Sequence, residues 1–219
     1  MPVIIIRLQG MIQTGMANLY TINPSNPQPR LLQKVISCLQ QGGLIVYPTD
    51  SCYAFGCSLG NKEAIERIAR IRSLPDDHHF TLVCRDLSDL ATYAVVDNAT
   101  YRFLRAHTPG PFTFLLPGTK EVPRRLLHPK RKGIGLRIPD HPIVQALLEQ
   151  FGEPLLSSTV MLPGDQTPLP TAQDIQERIG KQVDLIIDGG PCGTEPTTVV
   201  ELYGTPVIVR QGKGQLKGI

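Results

Sequence analysis

The sequence predicts a single mixed α/β or α+β domain, and three observations support this fold class. Segments with helix-like and strand-like spacing of apolar residues alternate along the 219 residues without a break in composition. A length of about 100–250 residues usually makes one domain. The 20 prolines and 20 glycines fall between the predicted elements, which favours a site built on loops over a stable sheet.

Apolar spacing assigns each element in turn. Apolar residues three and four apart predict helices, and short apolar runs bounded by proline or glycine predict strands. In chain order the predicted elements are strand 17–22, a helix from 30 to the glycine pair 42–43, strand 44–47, helix 62–72, strand 80–84, helices 87–93 and 99–107, strands 112–116 and 133–138, helix 142–151, strand 154–158, a helix near 173–179, and strands 183–188, 197–202 and 207–210. We interpret residues 1–15 as an N-terminal extension, either a fraying strand or the result of a true start at Met16, and residues 16–219 as a single domain.

The composition argues against several classes of protein. With 41% hydrophobic and 19% charged residues, the chain is globular rather than disordered. No run approaches the roughly 18 apolar residues that span a bilayer, so we expect no membrane association. The five cysteines are odd in number and lack the spacing of zinc ligands, which favours a reducing cytoplasm and indicates no metal site.

Positive charge is concentrated in one segment, although the net charge is only +3. The segment 124–132 contains no acidic residue, and its basic side chains are Arg124, Arg125, Lys130, Arg131 and Lys132. We interpret these residues as a candidate RNA-binding surface, and a solvated loop is the alternative.

Two polar segments in the first half are candidates for a site. Segment 47–57 follows a buried strand, and strand ends are where α/β sheets place ligands; an ordinary polar turn is the alternative. Segment 67–79 carries arginines at a predicted helix C-terminus and two histidines after it. These arginines either clamp phosphates or interact with the helix dipole.

Three further segments add polar groups to predicted strands. Arg137 lies in mid-strand between apolar neighbours, so it must be paired or face a ligand. Strand 154–158 leads into hydroxyl side chains, and segment 196–212 combines threonines with Arg210. The chain has neither the glycine-rich phosphate loops nor the Gly-x-Ser-x-Gly turn, which argues against ordinary kinases, dehydrogenases and esterases.

These five segments, in this order, resemble the YrdC/YciO family of RNA-binding and threonylcarbamoyl-adenylate synthase proteins from about Ala17 to Lys217. The most specific matches are Tyr47-Pro-Thr-Asp-Ser-x-Tyr53, Pro109-Gly-Pro-Phe-Thr-Phe114, Arg137-Ile-Pro-Asp-His-Pro142 and Thr197-Thr-Val-Val200 with Arg210. Segments 70–75 and 120–125 look most like the YciO branch. The resemblance implies a twisted open mixed sheet with flanking helices and a positively charged cleft.

The resemblance also implies a chemistry. Synthases of this family join threonine, bicarbonate and ATP into threonylcarbamoyl-adenylate and pyrophosphate, for the modification of an adenosine in tRNA. It implies threonine-binding roles for Thr49, Asp50 and Tyr53. It implies nucleotide-binding roles for Arg70, Arg72, His79, Arg137, Ser157, Thr159, Thr197 and Arg210. ATP with Mg²⁺ is the implied candidate substrate, and no tightly bound cofactor is expected.

Two signatures depart from the synthase pattern. Synthases carry Lys-x-Arg where this chain has Arg72-Ser73-Leu74, and Ser-x-Asn where it has Thr159-Val160-Met161. Leucine cannot neutralise phosphate charge, and methionine lacks the donors of asparagine. Each lost charge-assisted contact costs about 1.5–3 kcal/mol.

We therefore predict a cytoplasmic YciO-type protein, a monomer or weak homodimer, that binds a nucleotide and double-stranded or otherwise structured RNA, tRNA included. No catalytic residue is assigned. Two alternatives stay open. One is an active threonylcarbamoyl-adenylate synthase. The other is a hydrolase of a nucleotide-linked carbamoyl compound that uses Asp50 or His79 to orient water.

Overall fold

One mixed β-sheet runs through the protein in the computed structural model, which describes residues 15–75, 78, 80–128 and 131–216. Within these residues the strands are β1 (Asn18–Thr21), β2 (Ile45–Tyr47), β3 (Ala54–Ser58), β4 (Thr81–Val83), β5 (Phe112–Pro117), β6 (Gly133–Arg137), β7 (Leu155–Thr159), β8 (Leu185–Asp188), β9 (Thr198–Glu201) and β10 (Val207–Arg210). Their order across the sheet is β1-β8-β2-β3-β7-β4-β6-β5-β9-β10. Four neighbouring pairs are parallel (β1 with β8, β8 with β2, β4 with β6, β5 with β9) and the others are antiparallel. The predicted mixed α/β sheet is thus confirmed.

Helices flank the sheet, and local sequence signals set their ends. In the described residues they are α1 (Pro29–Gln40), α2 (Lys62–Arg72), α3 (Leu87–Tyr93), α4 (Asn98–His107), α5 (Pro142–Phe151) and α6 (Ala172–Ile179), with a short 3₁₀ helix at Arg124–Leu126. Asn61 caps α2, because its side chain accepts a hydrogen bond from the Ala64 amide at 3.1 Å. Pro142 begins α5, and Gly152 ends it at a φ of 77°.

The two faces of the sheet bury two apolar clusters. On β2, Ile45 and Tyr47 pack with apolar residues of α1 and α5, whereas Val46 points to the cluster that includes residues of α2 and α6. This alternation follows from the period of two in a strand. Because both faces of the sheet are covered at β2 and β8, these two strands read as apolar runs rather than as alternating ones.

Two elements differ from the sequence prediction. Residues 54–58 form β3 between β2 and β7, although no strand was predicted in the polar segment 47–57 that contains most of them. β3 is buried along most of its length, so it shows no polar and apolar alternation that would have marked it as a strand. Part of the basic segment, Arg124–Leu126, is helical rather than irregular.

Some predictions fall outside the described residues. Most of the proposed N-terminal extension, residues 1–14, lies there, as do His79 and Lys130. None of the helices in the described part of the chain combines the length and the hydropathy of a membrane span.

Candidate functional site

A cleft of about 530 Å³ opens over the half of the sheet that runs from β3 to β10. Side chains of β3, β4, β5, β6, β7, β9 and β10 line it, together with Arg72 at the end of α2 and His78 beyond it. Six of the eight predicted nucleotide-binding residues are among the lining residues, namely Arg72, Arg137, Ser157, Thr159, Thr197 and Arg210. Arg70 is exposed on α2 and is not a lining residue, and His79 lies outside the described residues.

Arg72 enters the cleft from the last turn of α2. Its Nη1 donates a hydrogen bond to the Ser158 hydroxyl, and its Nε donates one to the Met161 carbonyl at 3.2 Å. Both acceptors are neutral. Burial lowers the pKa of the Arg72 guanidinium, and the nearby positive charge of Arg210 lowers it further.

Arg210 enters from the opposite side, on the edge strand β10. The register between β9 and β10 shifts at Ile208 and Arg210, and such bulges re-aim side chains. Val209 and Arg210 consequently both line the cleft. Arg210 Nη2 donates to the Thr197 carbonyl at 2.9 Å, which is again a neutral acceptor, and burial lowers the pKa of Arg210.

Arg137 projects from β6 and is only 7% exposed. Its Nη2 forms an ion pair with the Asp50 carboxylate, and its Nη1 donates to the Ser51 hydroxyl at 3.4 Å. Its Nε is buried and has no hydrogen-bond partner among the described residues. The prediction that Arg137 must be paired or face a ligand is met by the pairing, while Nε keeps one donor free.

The hydroxyl groups of the cleft have distinct hydrogen-bonding states. Ser157 donates its one proton to the Phe55 carbonyl at 2.9 Å, so the Tyr47 hydroxyl, 2.8 Å away, must donate to Ser157. Burial raises the pKa of Tyr47 to about 12, which keeps it a donor. Ser157 therefore faces the cleft as an acceptor. Thr113 and Thr197 share a hydrogen bond of 2.8 Å on the facing wall.

The three predicted threonine-binding residues lie beside the cleft, and none is among its lining residues. The Thr49 hydroxyl donates to the Cys52 carbonyl at 2.7 Å and closes a tight turn. The Tyr53 hydroxyl donates to the Gly190 carbonyl at 2.8 Å. The Asp50 carboxylate, besides its ion pair, accepts from the Asp140 amide at 2.9 Å. Their threonine-binding role stays a prediction.

The basic segment is less uniform than its sequence indicates. Arg131 forms an ion pair with Glu201 and lies 6.0 Å from the centre of the Tyr203 ring, so a neighbour offsets its charge. Arg125 donates to the Gly60 carbonyl at 3.0 Å. Lys132 sits at a φ of 53°. These contacts within the protein do not test RNA binding, so the RNA-binding role of the segment stays a prediction.

Sequence reasoning missed four residues of this region. Thr113 lies within the motif Pro109–Phe114, and Ser158 lies between the predicted site residues Ser157 and Thr159, but neither was assigned a role. Because side chains alternate between the faces of a strand, the choice of Ser157 and Thr159 on β7 would not have led to Ser158. His128 lines the cleft, where its Nδ1 accepts from the Arg131 amide at 3.0 Å. Lys213, whose Nζ donates to the Asp50 carbonyl, is marked only by its position between two glycines.

Among the described residues, the cleft offers little to a metal ion. No group of three or more His, Cys, Asp or Glu side chains within the described chain is placed to hold one. The described lining residues also include no Asp or Glu.

Comparisons with known proteins agree with this architecture. A protein-family model named Sua5_yciO_yrdC, with the description "Telomere recombination", matches residues 37–212. The sequence is 55% identical over 203 residues to the Uncharacterized protein YciO of Escherichia coli, which covers 92% of this chain and 98% of that protein. The crystal structure of E. coli YciO matches with a TM-score of 0.89 over the same shares of the two chains.

Two more distant relatives extend the comparison. A threonylcarbamoyl-AMP synthase of Vibrio vulnificus is 31% identical over 184 residues, which are 83% of this chain and 98% of that protein. The crystal structure of P. abyssi Sua5 complexed with L-threonine matches with a TM-score of 0.81 and 23% identity, over 89% of this chain and 57% of that one. At that identity the likeness is one of fold alone. The higher identity to YciO confirms the predicted placement in the YciO branch.

Proposed function

The chain belongs to the Sua5/YciO/YrdC family, and from that premise we propose that it binds a nucleotide in the cleft and structured RNA on its basic surface. It is related to the threonylcarbamoyl-AMP synthases, and we propose that its altered signatures reduce or abolish synthesis. The five cysteines are free thiols, which supports a location in the reducing cytoplasm.

The convergence of Arg72, Arg137 and Arg210 on one cleft is the observation that carries the nucleotide proposal. Only Arg137 has a carboxylate partner among the described residues; the contacts of the other two are to neutral oxygens. Arg72 is half-buried, whereas Arg210 is more exposed, and a half-buried cation without a counter-charge is costly; a bound polyanion would offset that cost. Phosphate groups fit the forked guanidinium donors.

The apolar side of the cleft supports a nucleotide over a simple polyphosphate. Leu115, Val199 and Val209 line the cleft together with Pro196, close to Arg210. An apolar wall beside a cationic one suits a ligand with a flat, weakly polar base and a charged phosphate group.

Calorimetric titration with ATP, inorganic triphosphate and adenosine tests the proposal. We expect ATP to bind more tightly than either fragment, because each fragment engages only one wall. Equal affinity for ATP and inorganic triphosphate would show that the adenosine part of ATP contributes nothing to binding, which contradicts a nucleotide-specific site. Absence of binding by all three would contradict the nucleotide site itself.

An active threonylcarbamoyl-adenylate synthase is the second candidate, and the 31% identity to the Vibrio vulnificus synthase favours it. The departures weigh against it. Leu74 packs against the apolar core and contributes no charge, and Met161 lines the cleft where a donor would be needed. Such chemistry would need mainly positioning and charge neutralisation of the triphosphate.

Pyrophosphate release separates these two candidates. The protein is incubated with ATP, threonine and bicarbonate, and release is compared with reactions that lack threonine or bicarbonate. Release that depends on both would establish synthase activity. ATP binding without such release would support the binding protein with degraded signatures.

The hydrolase alternative has no specific support. Arg137 and the Asp140 amide occupy the Asp50 carboxylate, which leaves it poorly placed to orient water. His79 lies outside the described residues.

A further inference from the structure

The segment that follows β10 is held in one conformation across the start of β9. The Gly212 amide donates to the Thr198 hydroxyl at 3.0 Å, and that hydroxyl donates to the Gly214 carbonyl at 2.7 Å. The Gln211 side-chain amide donates to the same carbonyl at 2.9 Å. A Cβ at position 212 would lie 2.3 Å from the Pro196 carbonyl oxygen, so only glycine permits this close approach.

This fixed backbone delivers Lys213 to the turn that begins at Thr49. The Lys213 amide donates to the Pro196 carbonyl at 2.9 Å, and its Nζ donates to the Asp50 carbonyl. Burial raises the pKa of the Cys52 and Cys192 thiols to about 11, and the Lys213 charge partly offsets both shifts, as expected for an ammonium group beside them. Lys213 therefore reaches the main chain of Asp50 and leaves the carboxylate free.

The Asp50 carboxylate in turn holds Arg137. One oxygen pairs with Arg137 Nη2 and the other accepts from the Asp140 amide, so neither the carboxylate nor the guanidinium can rotate freely. The two side chains are 9% and 8% exposed, so water screens their attraction little. With one N–H of Nη1 directed at Ser51 and one of Nη2 at Asp50, each of these nitrogens keeps a second N–H, and the buried Nε–H has no partner among the described residues.

We propose that Asp50 and Lys213 are positioning residues that hold the Arg137 guanidinium so that its remaining N–H groups donate to an anionic ligand in the cleft. Neither residue touches the ligand in this arrangement, and both act through Arg137. A donor fixed in place before binding costs no reorganisation when the ligand arrives. The proposal rests on the proposed function for its ligand, whereas the positioning is a property of the free protein.

The positioning is tested without ligand by ¹H–¹⁵N NMR of the Arg137 Nε–H group, assigned by its loss in Arg137→Lys. In the wild type we expect one sharp resonance with slow hydrogen exchange. Lys213→Met should shift this resonance and accelerate its exchange, and Lys213→Arg should restore both. Lys181→Met, which removes an exposed lysine near the other edge of the sheet, is the matched control.

The same experiment separates the contact of Lys213 with Asp50 from the contact of Asp50 with Arg137. If Lys213→Met leaves the Arg137 resonance and its exchange rate unchanged, Lys213 does not position Arg137. Asp50→Asn keeps the size of the side chain and removes its charge, and it should disturb the resonance more strongly. If Asp50→Asn does not fold, a resonance disturbed by Lys213→Met and restored by Lys213→Arg supports the chain of contacts, and an undisturbed one overturns it.

A double-mutant cycle with ATP tests whether Lys213 acts through Arg137. We expect Lys213→Met to weaken ATP binding about three- to tenfold in the wild-type background and to have no effect in Arg137→Met. An equal loss in both backgrounds would mean that Lys213 contacts the ligand directly, which overturns the proposal. If the wild type does not bind ATP, the proposed function fails, and the NMR result still decides the positioning.

Discussion

Arg72 shows how burial and charge act against each other at a single residue. Its guanidinium is partly buried, repelled by Arg210 and bonded to neutral oxygens of Ser158 and Met161. An isolated protein gains little from such an arrangement, because desolvation of a cation is offset only by opposite charge or by several good acceptors. The arrangement is accounted for if a phosphate-bearing ligand supplies the missing negative charge.

The substitution Arg72→Met should therefore weaken ATP binding about 10- to 100-fold, since it removes a charge-assisted contact. The free energy of unfolding of the variant should differ little from that of the wild type, because methionine fills most of the volume of arginine. Calorimetry and thermal unfolding measure the two effects. Arg70→Met, two residues earlier and exposed, is the charge-matched control, and an equal loss of affinity in both variants would exclude a specific role for Arg72.

His141 makes stability depend on pH. Burial lowers its pKa from 6.5, although Asp50 and Asp140 act in the opposite direction, and its Nδ1 has no partner among the described residues. The unfolded chain binds a proton near pH 6.5, whereas the folded chain binds it only at lower pH. Stability contributed by neutral His141 is therefore complete above pH 6.5 and is lost as the pH falls towards the folded pKa.

The variant His141→Gln tests this dependence. Urea unfolding at pH 7.5, 6.5 and 5.5 should show that the wild type loses more stability on acidification than the variant does. Parallel losses in the two proteins would show that other groups cause the effect.

At the scale of elements, β3 explains why the polar segment after β2 carries a site. Residues 54–58 pair with β2 and β7 and so anchor the end of the turn that contains Thr49 and Asp50. Gly56 lets the Tyr47 ring cross the strand, because a Cβ there would lie 2.7 Å from Tyr47 Cε1. The same ring donates from its hydroxyl to Ser157 on the wall of the cleft.

The substitution Gly56→Ala should destabilise the protein by about 1–3 kcal/mol, the usual cost of overpacking a buried site. It should also disturb the cleft, since the Tyr47 ring cannot move without losing its bond to Ser157. Gly204→Ala is the control, because a Cβ there meets no atom within 4 Å. Urea unfolding and ATP titration measure both effects, and equal stability of the two variants would contradict the packing argument.

At the scale of the whole molecule, the distribution of charge matters more than the net value of +3. Three arginines reach the cleft from α2, β6 and β10, which are distant in the sequence. The basic segment contributes His128 to the lining of the cleft, and Glu201 offsets the charge of Arg131. RNA binding by this surface would rest on phosphate contacts and depend strongly on salt.

The double substitution Arg124→Gln and Arg125→Gln should weaken binding to an RNA hairpin. It should also lower the slope of log K against log salt by about one for each lost phosphate contact. Fluorescence anisotropy from 50 to 200 mM salt measures this slope, and the control is Lys34→Gln with Lys181→Gln, which removes the same charge elsewhere. Unchanged slopes would show that Arg124 and Arg125 do not contact RNA, and undetectable binding at low salt would contradict the RNA proposal.

Local patterns alone were enough to predict most elements and the fold class. Helical spacing from Arg30 and from Lys62, and the proline and glycine at the ends of α5, are properties of neighbouring residues, so they predict α1, α2 and α5 without tertiary information. The strand β3 was not predicted, because a strand that is buried on both faces shows no local alternation of polar and apolar residues.

The membership of the cleft was predictable only in part. Arg137 stood out because a charge inside an apolar strand needs a partner. Arg72, Thr197 and Arg210 belonged to polar segments that were already candidates, and the resemblance to a known family assigned them to nucleotide binding. The sequence by itself thus determined most elements, the polar segments and the presence in Arg137 of a charge that needs a partner. Only the tertiary structure decided that Asp50 pairs with Arg137 and that Lys213 reaches the Asp50 turn, because these contacts span 87 and 163 residues and depend on strand order.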